Sequence, residues 1–303
     1  MRMHAGVSFV GGTRSHPPAE ITIAQALRLP GIAPIDARVL LEHVLDASHG
    51  ELVAHSERML SAAEAARFQA LLQRRGRGEP VAYLVGRREF YGLEFKVTPD
   101  VLIPRPETEL LVELALRRMT PDARLRIVDL GTGSGNVAIV IAYHRPDARI
   151  IAADCSREAL KLAEENAARL LTSGRRGEAV CFVESNWYGS LAGATFDLIV
   201  SNPPYVAAAD PYLGQGDLRF EPPVALSAGT DGLAAIRALI MGAARHLAEG
   251  GWLIFEHGFN QQAACASLLE SAGFVEVFCA RDLAHLPRVC GGRYRALSRP
   301  GRS

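Results

Sequence analysis

The feature that most constrains this chain begins at Leu125. From there, short apolar runs alternate with longer amphipathic ones. LRIVDL predicts a strand, GNVAIVIAYHR a helix, ARIIAAD a strand, and SREALKLAEENAARL a helix with Ser156 as N-cap. AVCFVES and FDLIVS continue as strands. DGLAAIRALIMGAARHLAEGG predicts a helix stopped by Gly250, WLIFEHG a strand, and QQAACASLLESAGF a last helix. Two strand-like pieces follow near Val275–Cys279 and Arg288–Ser298. Strands alternating with helices imply an α/β fold with a mostly parallel sheet and helices on both faces. In such sheets ligands bind outside the carboxyl ends of the strands, so the loops after these strands are where chemistry is to be sought.

The segment from Ala19 to about Gly78 reads as helical. In APIDARVLLEHVLD, residues Ile35, Val39, Leu40 and Val44 repeat at helical spacing and predict one buried face. Ser61 and Glu64 form a capping-box pattern, and the helix they open runs through Phe68, Leu71 and Leu72 to stop signals at Arg74, Arg75, Gly76 and Gly78. Phe90, Tyr91, Leu93, Phe95 and Val97 then alternate as strands do, with a glycine at the bend. The domain organisation expected is a mobile leader over 1–18, a helical domain over 19–88, a β-hairpin linker over 89–104 and a second domain over 105–303. The leader carries no sustained apolar stretch, which argues against a signal peptide or membrane span.

The 33 basic residues balance 33 acidic ones. A chain whose substrate is nucleic acid usually carries a basic excess, because phosphate contacts supply much of the affinity. The five cysteines (Cys155, Cys181, Cys265, Cys279, Cys290) show neither a CxxC pair nor zinc-finger spacing to histidine. They suit reduced thiols in a cytoplasmic protein, most of them small buried side chains, with no metal site.

The sharpest local signal is Asp129-Leu130-Gly131-Thr132-Gly133-Ser134-Gly135, between a strand and a helix, with Asp154 closing the next strand 25 positions after Asp129. Glycines let the backbone take unusual dihedrals and approach a ligand closely. A carboxylate at Asp154 can accept the hydroxyls of a ribose. Two cofactors suit a loop plus acid: a nicotinamide dinucleotide and S-adenosylmethionine. The dinucleotide fingerprint is GxGxxG, whereas here the third glycine comes one place early and Asn136 occupies its slot. Asp129 beside the loop suits an ammonium and would repel a phosphate, which favours S-adenosylmethionine.

The second motif, Ser201-Asn202-Pro203-Pro204-Tyr205, follows the strand FDLIVS on the same sheet edge. Two prolines fix two backbone dihedrals and remove two amide donors, leaving nearby carbonyls free to accept. If the Asn202 side-chain oxygen and the Pro203 carbonyl accept the two protons of a planar NH2 group, its nitrogen is held and aimed, and Tyr205 can stack on the flat group. Methyl transfer would then be an in-line displacement governed by positioning, with the oxygens favouring the charge the nitrogen acquires.

GTGSG, NPPY and the stretch Gln215-Gly216-Asp217-Leu218-Arg219-Phe220-Glu221-Pro222 together resemble the HemK/PrmC family, the peptide chain release factor glutamine methyltransferases. GEPVAYLVGRREFYGL, LIPRPETE and FEHG are also similar to that family, so the resemblance extends from Ala19 to Arg295. It implies a Rossmann-like seven-stranded methyltransferase sheet with a small N-terminal helical domain that presents the partner. It further implies transfer from S-adenosylmethionine to the glutamine of the Gly-Gly-Gln loop in class 1 release factors. On this resemblance Asp129 and Gly131 to Gly135 (with Thr132, Gly133 and Ser134) meet the cofactor, Asp154 binds its ribose, and Trp187 lies along the adenine. Asn202 touches cofactor and substrate, Pro203 to Tyr205 complete the substrate pocket, and Arg105 and Glu107 of PRPETE line the same cleft. Asn186 departs from the family's usual aspartate; it keeps hydrogen-bonding capacity for an adenine edge and loses the charge.

Three rivals differ in what they would require. A glutamine methyltransferase acting on a ribosomal large-subunit protein shares NPPY but lacks the QGDxRFEP and PRPETE wording. An adenine-amine nucleic acid methyltransferase needs a target-recognition insertion and a positive cleft. A cofactor-binding adaptor would keep the glycine loop and lose NPPY. The expectation is therefore a cytoplasmic, monomeric enzyme with a release factor as its partner and neither nucleic acid nor membrane. His257 and Trp252 read more readily as structural residues than as site residues; Glu256 could face the cofactor end of the sheet and is not assigned to the site.

Overall fold

The computed structural model describes residues 20–120, 124–171 and 180–295. The expected leader, 1–18, lies outside them. The chain divides into two compact units, Met1–Val85 and Gly86–Ser303.

The described residues of the first unit form five helices: α1 (Ile23–Ala26), α2 (Pro34–Leu45), α3 (His49–Ala54), α4 (Ala62–Gly76) and α5 (Val81–Val85). Three of them open with reciprocal capping boxes, at Thr22/Gln25, Ser48/Glu51 and the expected Ser61/Glu64. Each box satisfies two amides that the helix start leaves without partners. The core gathers Leu40, Leu41, Val44, Leu52 and Phe68. The buried face of α2 is Ala37, Leu40, Leu41 and Val44, whereas Ile35 is 54% exposed. Ile35 follows Pro34 in the first turn, where the apolar repeat has not yet come round to the core side.

The second unit opens with a hairpin, β1 (Arg87–Phe90) and β2 (Leu93–Lys96). Tyr91 and Gly92 both take positive φ at its tip, the conformation a two-residue turn of matching twist demands. The hairpin is thus tighter than the span 89–104. The residues after Lys96 run without regular structure to a 3-10 turn at Pro106–Thr108, which leads into α6 (Glu109–Arg118).

The sheet then forms much as the alternation predicts. Its strands are β3 (Arg126–Leu130), β4 (Arg149–Asp154), β5 (Val180–Glu184), β6 (Phe196–Ser201), β7 (Leu247–Glu256), β8 (Val275–Arg281) and β9 (Pro287–Arg293). They lie in the order β5-β4-β3-β6-β7-β9-β8. The first five are parallel, and β9 pairs antiparallel with both β7 and β8. Helices α7 (Asn136–His144), α8 (Arg157–Leu170), α9 (Pro223–Leu226), α10 (Ala234–His246) and α11 (Gln262–Ser271) complete the unit. Two apolar cores result, one with Ile127, Val137 and Ile141 and the other with Val128, Ile199, Ile240 and Phe255. This is the expected α/β seven-stranded sheet.

Two local expectations change. Gly250 does not stop α10, which ends at His246; it lies inside β7 at φ +77°. Leu247 pairs with Phe196 and Trp252 with Leu198, so four residues of β7 bulge opposite one of β6, and Gly250 makes that excursion possible. The cysteines also differ from five reduced, mostly buried thiols. Cys279 and Cys290 are register partners on β8 and β9 and are joined by a disulfide, while Cys155 and Cys181 are exposed and Cys265 alone is a buried thiol. That pairing arises from strand register, which no spacing motif announces. No helix among the described residues is long and apolar enough to cross a membrane.

Candidate active site

Strand order reverses beside β3: β4 and β5 lie on one side of it, β6 and β7 on the other. The loops after β3, β4 and β6 therefore splay apart above the sheet and leave a crevice at their carboxyl ends. A cavity of about 440 Å³ opens there, lined by Asp129, Gly131, Thr132, Gly133 and Ser134 from the first loop, Asp154 from the second, Asn186 and Trp187 after β5, and Asn202 and Pro204 after β6. Arg105 and Thr108 close another side.

The glycine loop is held by the acids that flank it. Thr132 donates its hydroxyl to Asp129 Oδ2 at 2.7 Å, and the Ala138 amide reaches the same oxygen at 3.2 Å. Asp154 Oδ2 accepts from the Gly133 amide at 2.9 Å, and its Oδ1 from the Ser156 amide at 3.0 Å. Burial pushes the Asp129 carboxyl up to about 7 despite these donors. A buried carboxyl of this kind regains its charge when a cation arrives beside it.

The three glycines do different work. A Cβ on Gly131 or Gly133 would meet nothing within 4 Å, so both present bare backbone to the cavity they line. A Cβ on Gly135 would lie 2.8 Å from Ile139 Cδ1 and 3.0 Å from Ala163 Cβ. Gly135 is thus not a cavity residue. It is the N-cap of α7 and lets α8 pack closely behind the loop, the duty expected of the displaced third glycine.

The second motif is equally built. Ser201 donates its hydroxyl to the Leu130 carbonyl at 2.7 Å, tying the end of β6 to the end of β3. Asn202 Nδ2 donates to Thr108 Oγ1 at 3.1 Å. Thr108 donates to Glu256 Oε2 at 2.7 Å, and the Tyr205 hydroxyl donates to Glu256 Oε1 at 3.0 Å. Gln261 Nε2 donates to the Tyr205 carbonyl at 3.0 Å, whereas no described residue donates to the Pro203 carbonyl. Pro203 is buried and is not among the residues lining the cavity. Tyr205 does not lie across the cavity as a stacking face; its hydroxyl is drawn down onto Glu256.

The PRPETE and QGDLRFEP stretches meet each other. Glu221, whose side chain is fully buried, forms an ion pair with Arg105 and accepts from the Ile103 amide at 3.1 Å. Arg105 stands at the cavity with its charge matched. Glu107 is not a lining residue; its nearest cation is Arg288 at 3.9 Å. The 3-10 turn at Pro106–Thr108 sends Thr108 inward and Glu107 away from the cavity. Trp187 takes φ +51° at the cavity, its carbonyl accepting from Ser185 Oγ at 2.7 Å. A bulky residue with positive φ is costly and marks a position that the surroundings hold. Asn186 is exposed at the rim.

Thr108 is not singled out by the sequence reading, and Glu256 is weighed there without being assigned to the site. Thr108 is 1% exposed and Glu256 1% exposed, yet together they carry Asn202 and Tyr205. Burial raises the Glu256 carboxyl to about 7. His257, by contrast, is structural, with Nδ1 2.8 Å from the Gly258 carbonyl and Nε2 3.2 Å from Cys290 Sγ.

Residues 22–86 match the family described as PrmC N-terminal domain, and residues 107–213 the methyltransferase small domain. A solved Thermus thermophilus 16S rRNA N2 G1207 methyltransferase, in complex with AdoMet and guanosine, is 19% identical with a TM-score of 0.50, over 69% of this chain and 50% of that one, a likeness of fold. The release factor glutamine methyltransferase of Xylella fastidiosa (strain Temecula1) is 51% identical over 86% of this chain and 94% of its own length. That of Burkholderia pseudomallei is 50% identical over 91% of this chain and 97% of its own. With half of all positions shared across nearly the whole of both chains, and with both units matched, this chain belongs to the release factor glutamine methyltransferase family.

Proposed function

We propose that the protein methylates the side-chain amide nitrogen of the glutamine in the Gly-Gly-Gln loop of class 1 release factors, with S-adenosylmethionine as methyl donor. The observation that carries this reading is Asn202, which lines the cavity and is followed directly in the chain by the Pro203 carbonyl. One side-chain oxygen and one carbonyl without an internal donor offer two acceptors to the two protons of a primary amide.

The residues present fit the cofactor. Gly131 and Gly133 leave a cradle that a Cβ would fill, Asp129 offers a carboxylate to an ammonium, Asp154 keeps lone pairs for ribose hydroxyls, and Asn186 and Trp187 bound the adenine end. When bound, it supplies an electrophilic methyl group. The chain's own contribution is then positional. Asn202 Oδ1 and the Pro203 carbonyl hold the amide plane and aim its nitrogen, worth much of the rate because a small misplacement of reacting atoms costs orders of magnitude. The same two oxygens stabilise the positive charge the nitrogen gains. Pro203 and Pro204 fix the backbone between these acceptors, and Tyr205, anchored on Glu256, holds the far end of the motif. Arg105, already paired with Glu221, borders the substrate side as a neutral pair. We assign recognition of the release factor to the N-terminal helical unit.

The test is intact-protein and peptide mass spectrometry of a purified class 1 release factor after incubation with this protein and S-adenosylmethionine. One added methyl on the Gly-Gly-Gln glutamine is the expected outcome. No methyl there, with cofactor binding intact, overturns the substrate assignment and directs the search to ribosomal proteins.

A further inference from the structure

An asparagine is a two-faced residue: one end of its amide accepts and the other donates. The proposed clamp works only if the oxygen of Asn202 faces the substrate, because an NH2 facing an NH2 repels it. Something must fix that choice. The two oxygens of Glu256 are occupied by two hydroxyls, Thr108 at 2.7 Å and Tyr205 at 3.0 Å. While Glu256 is ionised it only accepts, so in that state the single hydroxyl proton of Thr108 is committed to it. Thr108 Oγ1 then has only lone pairs for its second neighbour. The Asn202 atom 3.1 Å away must therefore be the donor Nδ2, and Oδ1 is turned to the opposite side. Thr108 and Glu256 are each 1% exposed, so water does not compete for these bonds.

We propose that Thr108 and Glu256 are positioning residues that set the flip of the Asn202 amide, with Tyr205 bracing the carboxylate from its other oxygen. The relay has a direction, from carboxylate to hydroxyl to amide, and only that direction presents an acceptor to the substrate. It couples three segments that share no motif: the 3-10 turn before α6, the loop after β6 and the end of β7. The inference rests on the amide-transfer reading for its purpose, but the orientation of Asn202 is a property of the chain alone.

The test uses the full chain and three variants. Thr108→Val keeps the shape and removes the hydroxyl, Thr108→Ser restores it, and Glu256→Gln replaces the acceptor-only group with one that can donate. Transfer to a release factor is measured at saturating cofactor. For Thr108→Val and Glu256→Gln, kcat should fall about 10- to 100-fold, the scale of a mispositioned reacting group. KM should change by less than about threefold and cofactor binding not at all. Thr108→Ser should stay near wild type. A merely structural role would lower cofactor affinity and stability together, and Thr108→Ser would not separate from Thr108→Val. The second readout needs no turnover: hydrogen exchange of the Asn202 side-chain amide, its resonance assigned by loss in Asn202→Asp. Protection in wild type and Thr108→Ser that disappears in Thr108→Val supports the relay. Equal protection in Thr108→Val, or wild-type kcat, overturns it. If wild type transfers nothing to the release factor while the protection pattern holds, the substrate reading falls and the relay stands.

Discussion

The three glycines of the loop should fail in two different ways when each is changed to alanine. Gly131, Gly133 and Gly135 all hold φ between +55° and +81°, where an L side chain is strained by roughly 1–2 kcal/mol. Alanine recovers about 0.4–1 kcal/mol by restricting the unfolded chain. For Gly131 and Gly133 nothing lies within 4 Å of the added Cβ, so the net cost to the fold should be about 1.5 kcal/mol or less. At Gly135 the Cβ enters an occupied space, 2.8 Å from Ile139 Cδ1 and 3.0 Å from Ala163 Cβ. The Ile139 methyl can rotate away, but Ala163 sits on the backbone of α8, whose Cα is 3.4 Å off, so a helix must shift. Overpacking of this kind adds about 1–3 kcal/mol, for a total of about 1–4.5.

Thermal unfolding followed by tryptophan fluorescence reads the difference, because both tryptophans, Trp187 and Trp252, lie in the sheet unit and report on it. Gly135→Ala should lower the thermal midpoint by roughly 5–15 °C, while Gly131→Ala and Gly133→Ala should lower it by only a few degrees. Calorimetric titration with S-adenosylmethionine should show the reverse order. The new methyls at 131 and 133 stand in the cavity, and affinity should drop about tenfold or more. If Gly135→Ala unfolds with the wild type, or if Gly131→Ala and Gly133→Ala bind cofactor as wild type does, the division of labour argued for this loop is wrong.

Asn202→Ala should abolish transfer while cofactor still binds, and wild-type turnover by that variant would refute the clamp. Asp129→Asn should stabilise the empty protein at pH 8 while weakening cofactor binding. A carboxyl raised to about 7 by burial contributes stability below its ordinary range that is lost as pH rises towards 7, a difference on the order of 4 kcal/mol. Unfolding in urea at pH 5 and pH 8 checks the sign, and a variant less stable than wild type at pH 8 would show the charge to be satisfied already. Thiol titration of denatured, unreduced protein should find three reactive groups, Cys155, Cys181 and Cys265, and five after reduction; five at the outset would show Cys279 and Cys290 to be unpaired.

What the sequence made legible and what it hid follow a physical division. The glycine loop, Asp154 and Asn202 were legible because each stands at the end of a strand with an unmistakable apolar run. Once strands alternate with helices, their carboxyl ends must share one edge. The capping box at Ser61 was legible because its hydrogen bonds close within three residues. Ile35, the stop assigned to Gly250 and the pairing of Cys279 with Cys290 were not, because packing and strand register decide them.

Thr108 and Glu256 are the extreme case. They are 148 residues apart in the chain and 2.7 Å apart in space, and neither belongs to a pattern with its partner. In isolation each reads as something ordinary: a threonine in a turn, a glutamate ending a core strand. Only the parallel alignment of β6 with β7 brings the end of one strand, Ser201, beside Phe255 of the other and so sets Asn202 near Glu256. A buried glutamate in that place costs free energy that an apolar residue would not, since the donors around it do not bring its carboxyl back to the ordinary range. Stability gives no reason to keep such a group at the end of a core strand. On the relay proposed above, the reason is an acceptor at the base of a hydrogen-bond chain that ends at the Asn202 amide.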